Sequence, residues 1–192
     1  MTRIKVLPKA ITDRVSVKNV KQGFGHDLQG LFANIYLDKK NVGYYNDDGW
    51  GGEVDLHLKS EAKVILQDLC VQNNVRQLMF DNGWDFMELE NITIDTQIQH
   101  ICFCLIDDFL SAKEKKKFLK KLEKDMLKGI CIGTENKYTL HTFHSSKSLA
   151  DIIHYYGAPQ VKQSIVKNIL PKRKEGERIL NTNLKELGIE LE

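Results

Sequence analysis

The chain has 192 residues, of which 42% are hydrophobic and 28% are charged, and its formal net charge is +2. A chain of this length and composition can bury a sizeable core, which excludes disorder as a description of the whole sequence. A net charge of +2 is too small to indicate nucleic acid binding, so only a local concentration of charge can support that function. We expect a single domain, residues 1–192.

Neither an export signal nor a membrane span is apparent. Residues 1–15 contain no continuous apolar run of the kind found in secretory signals. The longest apolar run, residues 101–106, is far too short to span a bilayer. We therefore expect a cytoplasmic protein without membrane contact, in which the four cysteines are reduced thiols.

Alternating side chains in the first third of the chain predict antiparallel strands. Residues 31–37 and 53–58 alternate apolar with other side chains, which is the period of a strand with one buried face. Residues 42–45 return between them after an expected four-residue turn at 38–41. The sequence therefore predicts a three-stranded meander, preceded by a β-prone stretch at residues 15–20.

The middle of the chain has the periodicity of amphipathic helices. Residues 60–72 and 94–109 carry apolar side chains at intervals of three and four. Residues 111–114 have the spacing of a capping box, so a new helix is expected there, with a bend near Leu110 and an end at Gly129. The expected buried stripe of that helix is Phe118, Leu119, Leu122, Met126 and Leu127.

The last third is predicted to form a second hairpin and then further helices. The hairpin is expected within residues 130–143, and residues 148–151 repeat the capping-box pattern. Gly157 and Pro159 separate the next two helices. The predicted class is α+β, with an N-terminal antiparallel β-meander packed against several amphipathic helices and a second, C-terminal hairpin.

Two stretches, residues 25–56 and 176–189, together resemble small proteins of unknown function found in bacteriophages and in mobile elements of bacteria. The resemblance carries no known catalytic residue that could be transferred to this sequence. It implies a protein that binds and blocks a bacterial defence component, such as an RNA-guided nuclease. The implied partner is a protein or ribonucleoprotein, with RNA as a further contact.

A lysine-rich helix is the first candidate binding surface. Its lysines recur opposite the expected apolar stripe, where they could neutralise the phosphates of a nucleic acid. The candidates are Lys113, Lys116, Lys117, Lys120, Lys121 and Lys124, with Lys115 and Lys128 in a wider set. Lys172, Arg173 and Lys174 would enlarge the surface if the fold brings them near. The alternative is a helix that lysine merely keeps soluble, because no arginine or exposed aromatic residue is interleaved.

The glycine-rich loop at residues 49–52 is the second candidate. Its backbone N–H groups could bind an anion, but it lacks the Gly-Lys-Ser/Thr sequence of a phosphate-binding loop and leads into a strand. A turn between two strands is the simpler interpretation. Trp50 would suit a partner surface if its indole is exposed, and it would be a core residue if the indole folds under the sheet.

Neighbouring carboxylates and histidines raise an alternative function, a small metal-dependent hydrolase acting on a nucleotide or phosphodiester. Asp55 and His57 would share one strand face, and Asp48 lies in the preceding loop. A metal site needs three or four ligands with supporting partners, and no such spacing is present. We therefore expect no catalytic residue, metal or cofactor, and the leading hypothesis is a non-enzymatic binding protein that inhibits a defence component.

The cysteines are interpreted as core residues. Cys102 and Cys104 lie two positions apart within a predicted helix, where their side chains would point in very different directions. They could not hold one metal together, and no cysteine has an obvious base beside it. Buried free thiols are ordinary core residues.

Overall fold

The computed structural model describes residues 4, 6–24, 30–50, 53–84 and 88–191. The chain divides into two compact units, Met1–Ala112 and Lys113–Glu192, called unit 1 and unit 2. Each unit combines helices with an antiparallel sheet, which confirms the predicted α+β class. The prediction of one domain stays a prediction.

The strands of unit 1 form one four-stranded antiparallel meander. In sequence and in sheet order they are β1 (Val15–Phe24), β2 (Gly30–Leu37), β3 (Lys40–Asp47) and β4 (Asp55–Leu58). The predicted meander is confirmed, and the β-prone stretch before it is a full strand.

The turn between β2 and β3 is shorter than predicted. Only Asp38 and Lys39 lie between the strands, and their φ angles are 48° and 68°. Two consecutive left-handed residues form a type I′ turn, whose twist matches that of the flanking strands. The expected four-residue turn is therefore wrong, because its last two residues belong to β3.

One face of the meander packs against helices. These are α1 (Lys9–Thr12), α2 (Ser60–Gln72), α3 (Val75–Met79) and the N-terminal part of α4 (Ile94–Met126). Ile35 and Tyr45 of the sheet share one core with Leu66, Met79 and Ile101 of the helices. Full burial of each aliphatic side chain contributes about 1.5–3 kcal/mol, so this core is the main source of stability in unit 1.

A β-bulge interrupts β1 and changes which side chains face outward. Lys18 pairs with Asn34 and Lys21 pairs with Phe32, which leaves two residues of β1 opposite a single residue of β2. Asn19 adopts a left-handed conformation with φ 56° at this point. The extra residue lets Lys18 and Lys21, three positions apart, lie on the same outer face of the sheet.

Close contact between backbones requires glycine in the middle of β3. Gly43 lies between Ile35 of β2 and Leu58 of β4. A Cβ atom at position 43 would come within 1.9 Å of the carbonyl oxygen of His57. This approach fixes the pairing of β4 and with it the position of the residues that β4 carries.

The helix α4 is continuous over 33 residues. The prediction that a new helix starts at residues 111–114 is therefore wrong, whereas the bend near Leu110 stays a prediction. Residues 111–114 have the spacing of a capping box, but alanine, lysine and glutamate are also good helix formers, and neither glycine nor proline interrupts this stretch. The helix continues through it because nothing in the local sequence opposes continuation.

Unit 2 contains a three-stranded antiparallel sheet with further helices. Its strands are β5 (Gly129–Gly133), β6 (Tyr138–Thr142) and β7 (Arg178–Ile179), in the sheet order β6-β5-β7. The predicted second hairpin is confirmed. The helices are α5 (Leu149–Tyr156) and α6 (Ala158–Ser164), which continues as a π-helical stretch, Ile165–Ile169, and a 3-10 turn, Leu170–Lys172.

The start of α5 is capped as the sequence predicts. The Ser148 hydroxyl accepts a hydrogen bond from the Asp151 N–H at 3.1 Å, and the Asp151 carboxylate accepts one from the Ser148 N–H at 3.1 Å. Gly157, with φ 83°, then separates α5 from α6. The core of unit 2 combines Ile130 and Ile165 with apolar side chains of α5 and the C-terminal segment.

Across the part of the chain that the structure describes, no helix is both long enough and apolar enough to cross a membrane.

Candidate binding surfaces

The C-terminal part of α4 carries a continuous basic surface, here called the lysine face. It consists of Lys113, Lys116, Lys117, Lys120, Lys121 and Lys124, all of them exposed. At 100° and 1.5 Å per residue, these side chains occupy an arc of about 140° and a length of about 16 Å. Leu122 and Met126 lie on the opposite side and are buried. The six lysines are thus exposed opposite a buried stripe, and their role in binding a partner stays a prediction.

The buried stripe of α4 contains fewer residues than predicted, and so does the basic surface. Leu119 and Leu127 are 45% and 61% exposed. Neither belongs to the core, so their place in the predicted buried stripe is wrong. By the same helical geometry Lys115 points about 140° away from Lys120, outside the lysine face. Lys128 follows the end of the helix and approaches the carboxylate of Asp125 at 3.7 Å.

Carboxylates border the lysine face without interrupting it. Helical geometry places Glu114 and Asp125 beyond one edge of the face and Glu123 beyond the other. Asp125 is engaged by the Tyr138 hydroxyl, which donates a hydrogen bond to it at 2.8 Å. Within the described residues, none of the six lysines forms an ion pair. Their charges are therefore available to an external anion.

Tyr138 of β6 supports one edge of the lysine face. Its ring lies 5.4 Å from that of Phe118 in an edge-to-face arrangement, and the Lys121 ammonium lies 5.8 Å from the ring centre. Burial, and then the hydrogen bond to Asp125, raise the pKa of Tyr138, so its hydroxyl remains a neutral donor. The aromatic pair fixes the helix against β6.

The second basic group, Lys172, Arg173 and Lys174, is exposed at the end of the 3-10 turn. No hydrogen bond or ion pair of the described residues joins it to the lysine face. Arg173 instead lines a groove of about 620 Å³ with two further basic residues, Lys162 and Lys185. The expectation that this group enlarges the lysine face stays a prediction.

Trp50 is 69% exposed, so the interpretation of its indole as a core residue is wrong. The Asp47 carboxylate accepts a hydrogen bond from the Gly49 N–H, and the Asp48 carboxylate accepts one from the Trp50 N–H, both at 2.9 Å. These two N–H groups already have anionic acceptors, which disfavours anion binding by this half of the loop. Residues 51–52 lie outside the described residues.

The candidate hydrolase residues are engaged in contacts with the sheet. The Asp55 carboxylate accepts a hydrogen bond from the Tyr44 hydroxyl at 3.0 Å, and the His57 ring stacks on the Tyr44 ring at 5.4 Å. Among the residues that the structure describes, no three histidine, cysteine or acidic side chains are grouped so that they could hold a metal ion.

All four cysteines are buried, which confirms their interpretation as core residues. Burial raises the pKa of Cys70 and Cys102 to about 12 and that of Cys131 to about 11. The neutral thiol therefore predominates at physiological pH, and a thiolate nucleophile is not available at these positions.

The outer face of the unit 1 sheet carries an aromatic row that the sequence prediction did not include. We call it the aromatic ladder: Lys21, Phe32, Tyr44 and His57, one residue from each strand. The Phe32 and Tyr44 rings are stacked at 6.1 Å, and the Tyr44 and His57 rings at 5.4 Å. The Lys21 ammonium lies 5.7 Å from the centre of the Phe32 ring.

Further polar and aromatic side chains flank the aromatic ladder. The Lys18 ammonium lies 4.6 Å from the centre of the Tyr36 ring on the same face. A shallow groove of about 480 Å³ lies beside the ladder, lined by Asn19, Val20, Lys21, Phe32 and Asn34. The outer face thus combines aromatic rings, amide groups and two cations.

One signal for this surface is present in the sequence. The alternation in residues 31–37 assigns Phe32 and Tyr36 to the face opposite the core, where polar side chains are usual. The alignment of rings across strands depends on the register of three strand pairs, including the bulge at Asn19. Register of this kind is not readable from alternation alone.

No protein-family model, curated protein or solved structure gives a significant match to this chain. The resemblance to bacteriophage and mobile-element proteins stays a prediction, and the basis for a function is the chemistry of the surfaces described above.

Proposed function

We propose that the protein is a non-enzymatic binding protein that contacts the phosphates of RNA through the lysine face. The observation that carries this proposal is the set of six exposed lysines, none of which pairs with a carboxylate in the part of the chain that the structure describes. Their length of about 16 Å is enough to contact several consecutive phosphates of one strand. Release of counterions from the phosphates would then supply most of the binding free energy.

We further propose that the RNA belongs to a ribonucleoprotein of a bacterial defence system, which the protein inhibits. The support for this narrower proposal is the resemblance of residues 25–56 and 176–189, together with the exposed indole of Trp50. Exposed tryptophan is enriched among residues that dominate protein–protein contacts. Cleavage by a purified RNA-guided nuclease should slow when the protein is added, and the Trp50→Ala variant should inhibit less well than the native chain.

The lysine face is tested by charge reversal and salt dependence. Replacing Lys116, Lys117, Lys120 and Lys121 by glutamate should weaken binding to a fluorescein-labelled single-stranded RNA. Fluorescence anisotropy between 50 and 200 mM salt measures the slope of log affinity against log salt. The magnitude of this slope should fall by about 3, because four phosphate contacts are lost and each contributes about 0.7.

The matched control changes the same number of charges outside both basic groups. Its four substitutions to glutamate are at Lys40, Lys137, Lys147 and Lys167, all exposed. This variant has the same net charge as the first and should keep most of the salt slope. Equal slopes in the two variants would show that net charge, not the lysine face, determines binding.

A further inference from the structure

A second surface, in unit 1, has the chemistry of a site for unpaired bases. We infer that the outer face of the meander binds single-stranded nucleic acid, whose bases stack against the aromatic ladder. This site lies on different residues from the lysine face and does not depend on it.

The geometry of the rings supports stacking. Phe32, Tyr44 and His57 follow one another at 6.1 and 5.4 Å with interplanar angles of 21° and 17°, so they form one stack across three strands. His57 is exposed on β4, an edge strand of the sheet. A base placed against the outer side of its imidazole would continue the stack, and such stacking tolerates any base.

Charge on the same face favours a nucleic acid over a neutral ligand. The bulge in β1 directs both Lys18 and Lys21 outward, where their ammonium groups lie over Tyr36 and Phe32. Phosphates following a stacked base would meet these two cations. The groove lined by Lys21, Phe32 and Asn34 offers an amide group for hydrogen bonding to a base edge.

The central ring of the stack is held in place before any ligand binds. The Tyr44 hydroxyl donates to Asp55 at 3.0 Å, and this hydrogen bond is the main reason that the pKa of Tyr44 is raised. Neighbours on both faces of the ring further restrict it. A fixed ring loses little conformational entropy on binding, which favours affinity. Paired bases are enclosed within a duplex, so the surface selects unpaired ones.

The experiment compares strands with and without bases. The full-length chain carrying Lys116→Glu, Lys117→Glu, Lys120→Glu and Lys121→Glu is titrated into fluorescein-labelled ten-residue strands. The strands are oligouridine, oligodeoxythymidine, a deoxyribose-phosphate strand without bases, and a DNA duplex. We expect one or both base-containing single strands to bind at least about tenfold more tightly than the strand without bases and the duplex. RNA and DNA are distinguished by the first two strands.

This comparison separates the site from the lysine face. Phosphate contacts alone predict equal affinity for single strands with and without bases, so that result in the charge-reversed chain would overturn the aromatic ladder as a site. Loss of all binding in that chain would also overturn it. Neither result would count against the lysine face, which is judged by the difference in salt slope between its charge-reversed variant and the matched control.

Substitutions within the ladder identify the residues. All of these variants are made in the charge-reversed chain. His57→Ala removes the ring on which a base stacks and should reduce affinity for the base-containing strand about tenfold, and His154→Ala, which removes an exposed imidazole from α5, is the matched control. Tyr44→Leu removes the ring that supports His57 and should reduce affinity about fivefold, whereas Tyr44→Phe keeps the ring and should stay within about twofold of the charge-reversed chain. His57 is exposed, so its variant remains informative if Tyr44→Leu fails to fold. Unchanged affinity in His57→Ala and in a folded Tyr44→Leu would overturn the inference.

Discussion

Asn19 shows how a single residue can determine which side chains reach a surface. Its left-handed backbone, with φ 56°, accommodates the extra residue of β1 that turns Lys18 and Lys21 to the same face. Asparagine tolerates this conformation better than most residues because its short side chain can hydrogen-bond locally. A β-branched residue cannot adopt it without strain.

We expect Asn19→Val to lower the free energy of unfolding by about 1–2 kcal/mol, because valine at this φ is strained. Asn19→Gly should leave stability within about 0.5 kcal/mol of the native value, since glycine adopts positive φ freely. Urea unfolding followed by circular dichroism measures both. Equal losses in the two variants would show that the asparagine side chain, rather than the backbone conformation, is the important feature.

At the scale of elements, the sequence predicts what depends on neighbouring residues. Alternation is local, so the strands within residues 31–58 were found, and the capping box at Ser148 was found for the same reason. The type I′ turn was missed because Asp38 and Lys39 lack the asparagine-glycine signal usual for it. The continuity of α4 was missed because residues 111–114 fit both a helix start and a helix interior.

The capping box of α5 makes a prediction that depends on pH. The hydrogen bond from the Ser148 side chain is the main cause of the lowered pKa of Asp151. Because the folded-state pKa lies below the unfolded value of about 3.9, this stabilisation is present above about pH 4 and is lost as the pH falls through the folded-state pKa. Ser148→Ala should cost about 1 kcal/mol at pH 7 and less at pH 3.

Urea unfolding at the two pH values measures this difference, and Ser145→Ala, an exposed serine just before the cap, is the control. An equal cost of Ser148→Ala at pH 7 and pH 3 would mean that the ionised Asp151 carboxylate contributes nothing to the cap.

At the scale of the whole molecule, charge and thiols are distributed unevenly between the units. Removing the six positive charges of the lysine face from the net charge of +2 would leave −4, so the basic character of the chain is concentrated on α4. Composition alone could not reveal this, whereas lysine spacing along the helix did. The aromatic ladder lay beyond sequence analysis because it joins residues from four strands whose registers are set by a bulge, a turn and Gly43.

The cysteines allow the cooperativity of the two units to be measured. Cys70, Cys102 and Cys104 are buried in the core of unit 1 and Cys131 in unit 2. Because burial raises the pKa of Cys70 and Cys102 to about 12 and of Cys131 to about 11, labelling at pH 8 requires each core to open. Since the cores are separate, we expect Cys131 to react with a thiol reagent at a different rate from the three cysteines of unit 1. Mass spectrometry of the labelled protein over time measures these rates.

One common rate for all four cysteines would instead show that residues 1–192 unfold as a single cooperative domain. Denatured protein, in which all four thiols should react rapidly, is the control for the reagent.

The close approach at Gly43 also limits what evolution can do with this sheet. The atom that a Cβ would meet is the backbone carbonyl oxygen of His57, 1.9 Å away, and every amino acid has that oxygen. No substitution at position 57 can therefore relieve the clash that a larger residue at position 43 would cause. The two positions would be coupled in space and yet show no covariation, and descendants of this chain could lose the glycine only by giving up the pairing of β4.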